Sequence, residues 1–242
     1  MRLRRALAAL GSAAGVTLTA GALVAGPASA APSAPAPPAM TPAATVTKLS
    51  LSQPQVTFGN EAIEQFSVLV TSATGDTPTG SVTVKAGDIS ICAITLAGTG
   101  SGSCALTASA LPAGTYQVVA SYPGDIAHIY SNSPPVILTV NPEPTTTALR
   151  LSASTVTFGQ EHSGPLFVKT VPISGGTATG TFAIMAGSNT VCTGILAGGA
   201  GSCAMPDQAL PPGSYQLSAS YNGDANYAAS ASAPQFITVT PG

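Results

Sequence analysis

Leu111-Pro112-Ala113-Gly114-Thr115-Tyr116-Gln117-Val118-Val119-Ala120-Ser121-Tyr122 returns as Leu210-Pro211-Pro212-Gly213-Ser214-Tyr215-Gln216-Leu217-Ser218-Ala219-Ser220-Tyr221. Tyr116, Val118, Ala120 and Tyr122 fall on one face of an extended chain, and Tyr215, Leu217, Ala219 and Tyr221 keep that face apolar. The intervening positions drift from Gln117, Val119 and Ser121 to Gln216, Ser218 and Ser220. Strict alternation with one constrained face is the mark of a strand buried on one side.

The duplication extends outward from there. Val56-Thr57-Phe58-Gly59 matches Val156-Thr157-Phe158-Gly159, Cys92 matches Cys192, and Cys104 matches Cys203. Residues 46–140 thus recur at 146–239, offset by 100 positions early and 99 later. Each copy is long enough to bury its own core. Further period-2 runs occur at Phe66–Val70 and Val82–Val84, with Leu166–Thr170 and Phe182–Ile184 as counterparts. Gly, Pro, Asn and Asp fall between them, in Thr77-Pro78-Thr79-Gly80, Ala86-Gly87-Asp88 and Pro123-Gly124-Asp125. The first copy reads as strands over 46–51, 62–71, 80–86, 89–96, 102–107, 114–122 and 135–140. About seven short strands with turn signals every eight to twelve residues predict an all-β chain of two tandem immunoglobulin-like antiparallel β-sandwiches. Tyr116 and Tyr215, each two residues after a Gly at a strand entrance, resemble the tyrosine corner of such sandwiches; a plain core tyrosine is the other reading.

The run Pro78-Thr79-Gly80-Ser81-Val82-Thr83-Val84, then Leu-Pro-Ala-Gly-Thr-Tyr at 111–116, Tyr-Pro-Gly-Asp at 122–125 and a terminal strand resemble the bacterial Ig-like (Big) repeat domains of secreted and surface proteins. Tyr-Asn-Gly-Asp-Ala-Asn-Tyr-Ala at 221–228 is a closer version. The resemblance covers nearly all of 45–240 and implies adhesive, spacer or stalk modules, with no catalytic residues to carry over. Three departures stand out: His128 against Tyr227, Ala178 against Pro78, and Gly164-Pro165 in the second strand of the second copy, where a proline suggests an edge or a bulge.

Arg2, Arg4 and Arg5, an Ala/Leu/Val/Gly stretch to about Ala25 and the small-x-small site Ala28-Ser29-Ala30 read as a signal peptide over 1–30. Residues 31–44 read as an Ala/Pro-rich linker, 45–141 as the first domain, 142–145 as a stiff Pro-rich connector that sets the domains end to end, and 146–242 as the second domain. A secreted location follows, with loose association at the cell surface as an extension of it. No integral span is expected after cleavage, and released protein or non-covalent retention is what remains. The processed chain keeps Lys48, Lys85, Arg150 and Lys169 against nine acidic residues, a net charge of −5, which gives no footprint for nucleic acid.

Four cysteines at repeated spacing in an exported chain predict the disulfides Cys92–Cys104 and Cys192–Cys203, each read as a staple between two strands of one sheet. Two thiols per repeat with no nearby His make an incomplete zinc site, and no C-x-x-C is present for redox work. No metal, cofactor or catalytic residue is assigned: His128 and His162 lie in different repeats, and no nucleophile–base–orienter set assembles. Glu61 and Glu64 read as a solvated strand entrance, and Asp125 and Asp224 as turn-closing residues. The expected function is a structural spacer or adhesive module at or outside the cell envelope. The alternative is recognition of an envelope component, host protein or glycan through loops 72–80 and 123–133, with His128, Ile129 and Tyr130 as the ligand-facing residues.

Overall fold

The alternation at 116–122 takes the form of a nine-residue strand whose inward side chains, Val118, Ala120 and Tyr122, are almost fully buried. The structure is a computed structural model that describes residues 41–242. The segment read as a signal peptide, and the linker up to residue 40, lie outside the described residues.

The first repeat contains β1 (Thr45–Leu51), β2 (Gln55–Thr57), β3 (Gln65–Ser72), β4 (Ser81–Ala86), β5 (Ile89–Thr95), β6 (Ser101–Ala105), β7 (Gly114–Tyr122), β8 (Ser131–Asn132) and β9 (Val136–Asn141). The second contains β10 (Thr145–Leu151), β11 (Thr155–Thr157), β12 (Leu166–Pro172), β13 (Thr181–Ala186), β14 (Asn189–Ile195), β15 (Ala200–Cys203), β16 (Gly213–Tyr221), β17 (Ser230–Ala231) and β18 (Gln235–Thr240). In each repeat a three-stranded sheet, β1-β3-β6 or β10-β12-β15, faces a larger one, β2-β9-β7-β4-β5 or β11-β18-β16-β13-β14. This is a pair of tandem Ig-like sandwiches. The short β2 and β8 and their counterparts add to the seven expected strands; runs of two or three residues show no period. Among the described residues no helix is long and apolar enough to cross a membrane.

The cores are built by compensation. Repeat 1 fills its centre with Phe66, Ile94 and Val82, whereas repeat 2 has Leu166, Gly194 and Phe182 at those places. A Cβ at Gly194 would stand 2.4 Å from the Phe182 ring, so the ring occupies the space that Ile94 fills in the other repeat. The Phe182 ring thus refills much of the space that Ile94 takes in repeat 1, as a close-packed interior requires.

Several expectations need correction. β5 pairs only with β4 and β6 only with β3, so the cysteines lie on edge strands of opposite sheets and the bridges cross the sandwich edge. The turn between them carries the chain from one sheet to the other, where a hairpin would have kept it in one. The segment read as strand from residue 62 opens instead with a single 3-10 turn, Glu61–Ile63, and pairing starts at Gln65. Pro165 immediately precedes β12 and is not inside it, so β12 starts one residue later than β3 and makes four pairs with β15 where β3 makes five with β6. Glu61 and Glu64 are fully buried, not solvated. Finally, Ala43 bridges to His128 and Glu143 to Tyr227, so pairing reaches into both the 31–44 and the 142–145 segments.

Candidate functional site

Disulfides and tyrosine hydroxyls hold the loops in place. Cys92 is bonded to Cys104 and Cys192 to Cys203, and no cysteine is free among the described residues. The Tyr116 hydroxyl donates to the Pro112 carbonyl at 2.7 Å, and the Tyr215 hydroxyl to the Pro211 carbonyl at the same distance. Both bonds reach four residues upstream and tie the entrance of the long strand to the preceding loop, the geometry of a tyrosine corner.

Buried carboxylates brace the same loops. Glu61 accepts the Ser109 N–H at 2.8 Å and Glu161 accepts the Gln208 N–H at 2.9 Å. Among the described residues Ser109 and Gln208 are the two non-glycine residues with positive φ, so each carboxylate pins a loop at its least favourable backbone point. Glu64 accepts from the Ser52 N–H, the Ser52 hydroxyl and the Gln53 N–H at 3.1, 3.0 and 2.6 Å. Repeat 2 has Gly164 there and keeps only the backbone bond common to both repeats, from the Ser152 N–H to the Pro165 carbonyl as from the Ser52 N–H to the Gln65 carbonyl.

Asp125 and Asp224 join two loops apiece. One oxygen of Asp125 accepts the Thr79 N–H and hydroxyl at 2.9 and 2.8 Å, and the other accepts the Ala127 N–H at 2.8 Å. Asp224 repeats this with Thr179, Asn226 and Tyr227. Burial opposes the charge on Asp125, but these donors outweigh it and hold the carboxyl well below the ordinary range. The Tyr122 hydroxyl is pushed up to about 12 by burial and by the neighbouring Asp125.

The two repeats part company at the pole beyond these aspartates. His128 is only 4% exposed, so of the three residues expected to face a ligand, Ile129 and Tyr130 reach solvent and His128 does not. Its Nδ1 lies 2.7 Å from Asp125, and its Nε2 lies 3.1 Å from Asp76, close enough to pair as charges though off the hydrogen-bond line. Burial works against the imidazolium, but the two carboxylates prevail and raise His128 above its usual value. Bonds from the Ser72 and Thr74 hydroxyls lower Asp76 to about 2. In repeat 2 the pair is Tyr227 and Gly176, and a Cβ at Gly176 would stand 2.2 Å from the Tyr227 hydroxyl. The larger ring requires the glycine, while the smaller one leaves room for Asp76. The sequence showed His128 replacing Tyr227; its link to position 76 is visible only in three dimensions.

At the repeat 2 pole the Tyr227 ring meets Phe58 of repeat 1 edge-on, centroids 5.7 Å apart at 85°. The Ala113 N–H donates to Asn226 Oδ1 at 2.9 Å across the same joint. Glu143 is buried there and accepts the Ser174 N–H, with its other oxygen 3.2 Å from where a Cβ on Gly59 would sit. At the repeat 1 pole the loop carries Ile126, Ile129 and Tyr130, 97%, 45% and 71% exposed, where repeat 2 has three alanines, Ala225, Ala228 and Ala229.

No curated protein sequence matches the chain. Among solved structures it is similar to the Yersinia pseudotuberculosis adhesin InvE, at 15% identity over 80% of this chain and 58% of that one, with a TM-score of 0.50. It is also similar to the fibronectin(III)-like modules of Clostridium thermocellum CbhA (16%, covering 80% and 94%, TM-score 0.33) and to the D0-D1 domain of Intimin (13%, covering 80% and 99%, TM-score 0.29). These are likenesses of fold. The bacterial Ig-like domain (group 3) family matches twice, over residues 49–141 and 149–240, and the chain belongs to that family.

Proposed function

We propose that this chain is exported by its N-terminal segment and acts as a structural spacer or adhesive module at or outside the cell envelope. The observation that carries this reading is the tandem itself: two sandwiches, each bridged from sheet to sheet by a disulfide, meeting through a joint of Phe58, Tyr227, Asn226 and Glu143. Disulfides of this kind suit an oxidising compartment. The fold shared with the adhesin InvE supports the same placement. Cell fractionation with detection of the processed chain tests it. Recovery in the medium or at the cell surface with both disulfides formed is expected, and retention of a reduced, unprocessed chain in the cytoplasm refutes it.

One observation favours a second reading, recognition by loop 123–130. Its exposed Ile126, Ile129 and Tyr130 stand where the other repeat keeps small residues. In that reading His128 positions the loop through Asp76 and Asp125 and does not touch the ligand. Pull-down and glycan-array binding, compared with a chain whose residues 126–130 are replaced by 225–229, separates the two. Saturable binding lost on the exchange supports recognition, and its absence on every surface supports the spacer.

A further inference from the structure

Two surfaces of the tandem lie open among the described residues: the end of repeat 2 that carries Phe158 and Pro212, and the pole of repeat 1 that carries loop 123–130. The joint inside the chain shows how two such surfaces meet. There the Phe58 ring packs on Tyr227, the Ala113 N–H donates to Asn226, and a Cβ on Gly59 would stand 3.2 Å from Glu143. Phe158, Gly159 and Pro212 hold the corresponding places on repeat 2. Gly159 keeps the backbone of Gly59, with φ of +84° against +82°, but a Cβ on it would meet no described atom. Pro212 is likewise exposed where Ala113, inside the joint, is half-buried. Repeat 2 thus ends in the same kind of surface that repeat 1 uses to dock.

Two departures from the inner joint answer each other at the open ends. The inner hydrogen bond needs the Ala113 N–H and the Asn226 side-chain carbonyl. At the open ends Pro212 has no N–H, and Ala127 has no side-chain acceptor. Donor and acceptor are lost together, so bringing these ends into contact strands neither group. The second departure is size. Ala225, Ala228 and Ala229 beside the inner joint are matched by Ile126, Ile129 and Tyr130 at the repeat 1 pole. Ala225 and Ala229 remain exposed next to the docked repeat, so larger side chains at their places widen the contact at its rim. A wider contact suits a joint that lacks a connector. Within the chain, residues 142–145 keep the two halves at high effective concentration and a small contact suffices. Separate chains lose translational and rotational freedom on meeting and need more apolar area.

We propose, on the reading in which loop 123–130 recognises a partner, that the partner is a second copy of this chain. The Phe158 end of one copy seats on the repeat 1 pole of the next, with Phe158 over His128 and with Ile126, Ile129 and Tyr130 around the rim. The two surfaces differ, so the contact runs head to tail. Each added copy leaves one surface of each kind open, and the tandem extends into a filament of sandwiches.

Analytical ultracentrifugation of the processed chain tests this. Its weight-average mass should climb beyond two copies between micromolar and millimolar concentration. Ile126→Ala/Ile129→Ala/Tyr130→Ala, which installs the residues of repeat 2, should hold the chain at one copy. Pro212→Asp, which sets an unpaired charge on the other surface, should do the same. All four positions are exposed, so neither variant disturbs a core. Mixed in equal amounts, the two variants retain one intact surface of each kind between them and should form a dimer and nothing larger. A parent chain that stays at one copy, a parent mass that stops at two, association that survives either variant, or a mixture that stays at one copy would each overturn the proposal. A parent chain that stays at one copy yet binds in the pull-down or glycan array through residues 126–130 overturns self-assembly and leaves recognition standing, with a different partner.

Discussion

Removing the Cys92–Cys104 bridge separates the sheet-to-sheet geometry from the hairpin staple that the spacing suggests. The cysteines are 12 residues apart, and loop-closure entropy for a loop of that size amounts to about 3 kcal/mol in the unfolded chain. For a domain of this size each kcal/mol moves the midpoint by about 4–8 °C, so Cys92→Ala/Cys104→Ala should lower the repeat 1 transition by more than about 10 °C. Calorimetry of the whole chain measures this, with repeat 2 and its intact bridge as the internal reference. Hydrogen exchange locates the damage. β5 holds the edge of one sheet and β6 the edge of the other, so both should lose protection together. A midpoint change of only a degree or two, or exchange that quickens solely in the 96–101 turn, would refute the reasoning.

The repeat 1 pole should respond to pH where the repeat 2 pole does not. His128 is raised above its ordinary 6.5, so its contribution is complete below that value and disappears as pH rises through the elevated one. Asp76 is depressed, so its contribution is complete above 3.8 and disappears as pH falls through about 2. His128→Tyr with Asp76→Gly should abolish the alkaline loss, as read by thermal melts between pH 5 and pH 9 on the scale where histidine titrates; an unchanged alkaline slope counts against the pairing. Glu64→Ala should cost repeat 1 about 3 kcal/mol, because two backbone N–H groups and a hydroxyl lose a charged acceptor, and denaturant unfolding within about 0.5 kcal/mol of the parent would contradict this. Phe58→Ala should loosen the joint by about 1 kcal/mol beyond lost burial, so that NMR relaxation reports two independently tumbling repeats. Unaltered joint tumbling would mean that the Phe58–Tyr227 contact does not hold it.

Local pattern carried most of the architecture. The Tyr116–Tyr122 alternation and the turn glycines are short-range signals that correspond to a strand and to the turns of the sandwich, and the duplication repeats them in a second sandwich. The cysteine spacing identified partners for Cys92 and Cys192 because neighbours in the chain are neighbours in space. It could not assign them to sheets, since a turn that hops between sheets and one that closes a hairpin use the same Gly and Ser residues. Glu61, Glu64 and Glu143 were illegible for a related reason: whether a carboxylate is solvated or buried depends on backbone N–H groups that arrive from loops 11 to 48 residues away. The coupling of Asp76 to His128, and of Gly176 to Tyr227, belongs to the same class. Alternation and turn chemistry act within a few residues and can be read along the chain, whereas burial, charge pairing and the choice of sheet come from contacts between distant segments and exist only once the two layers have closed.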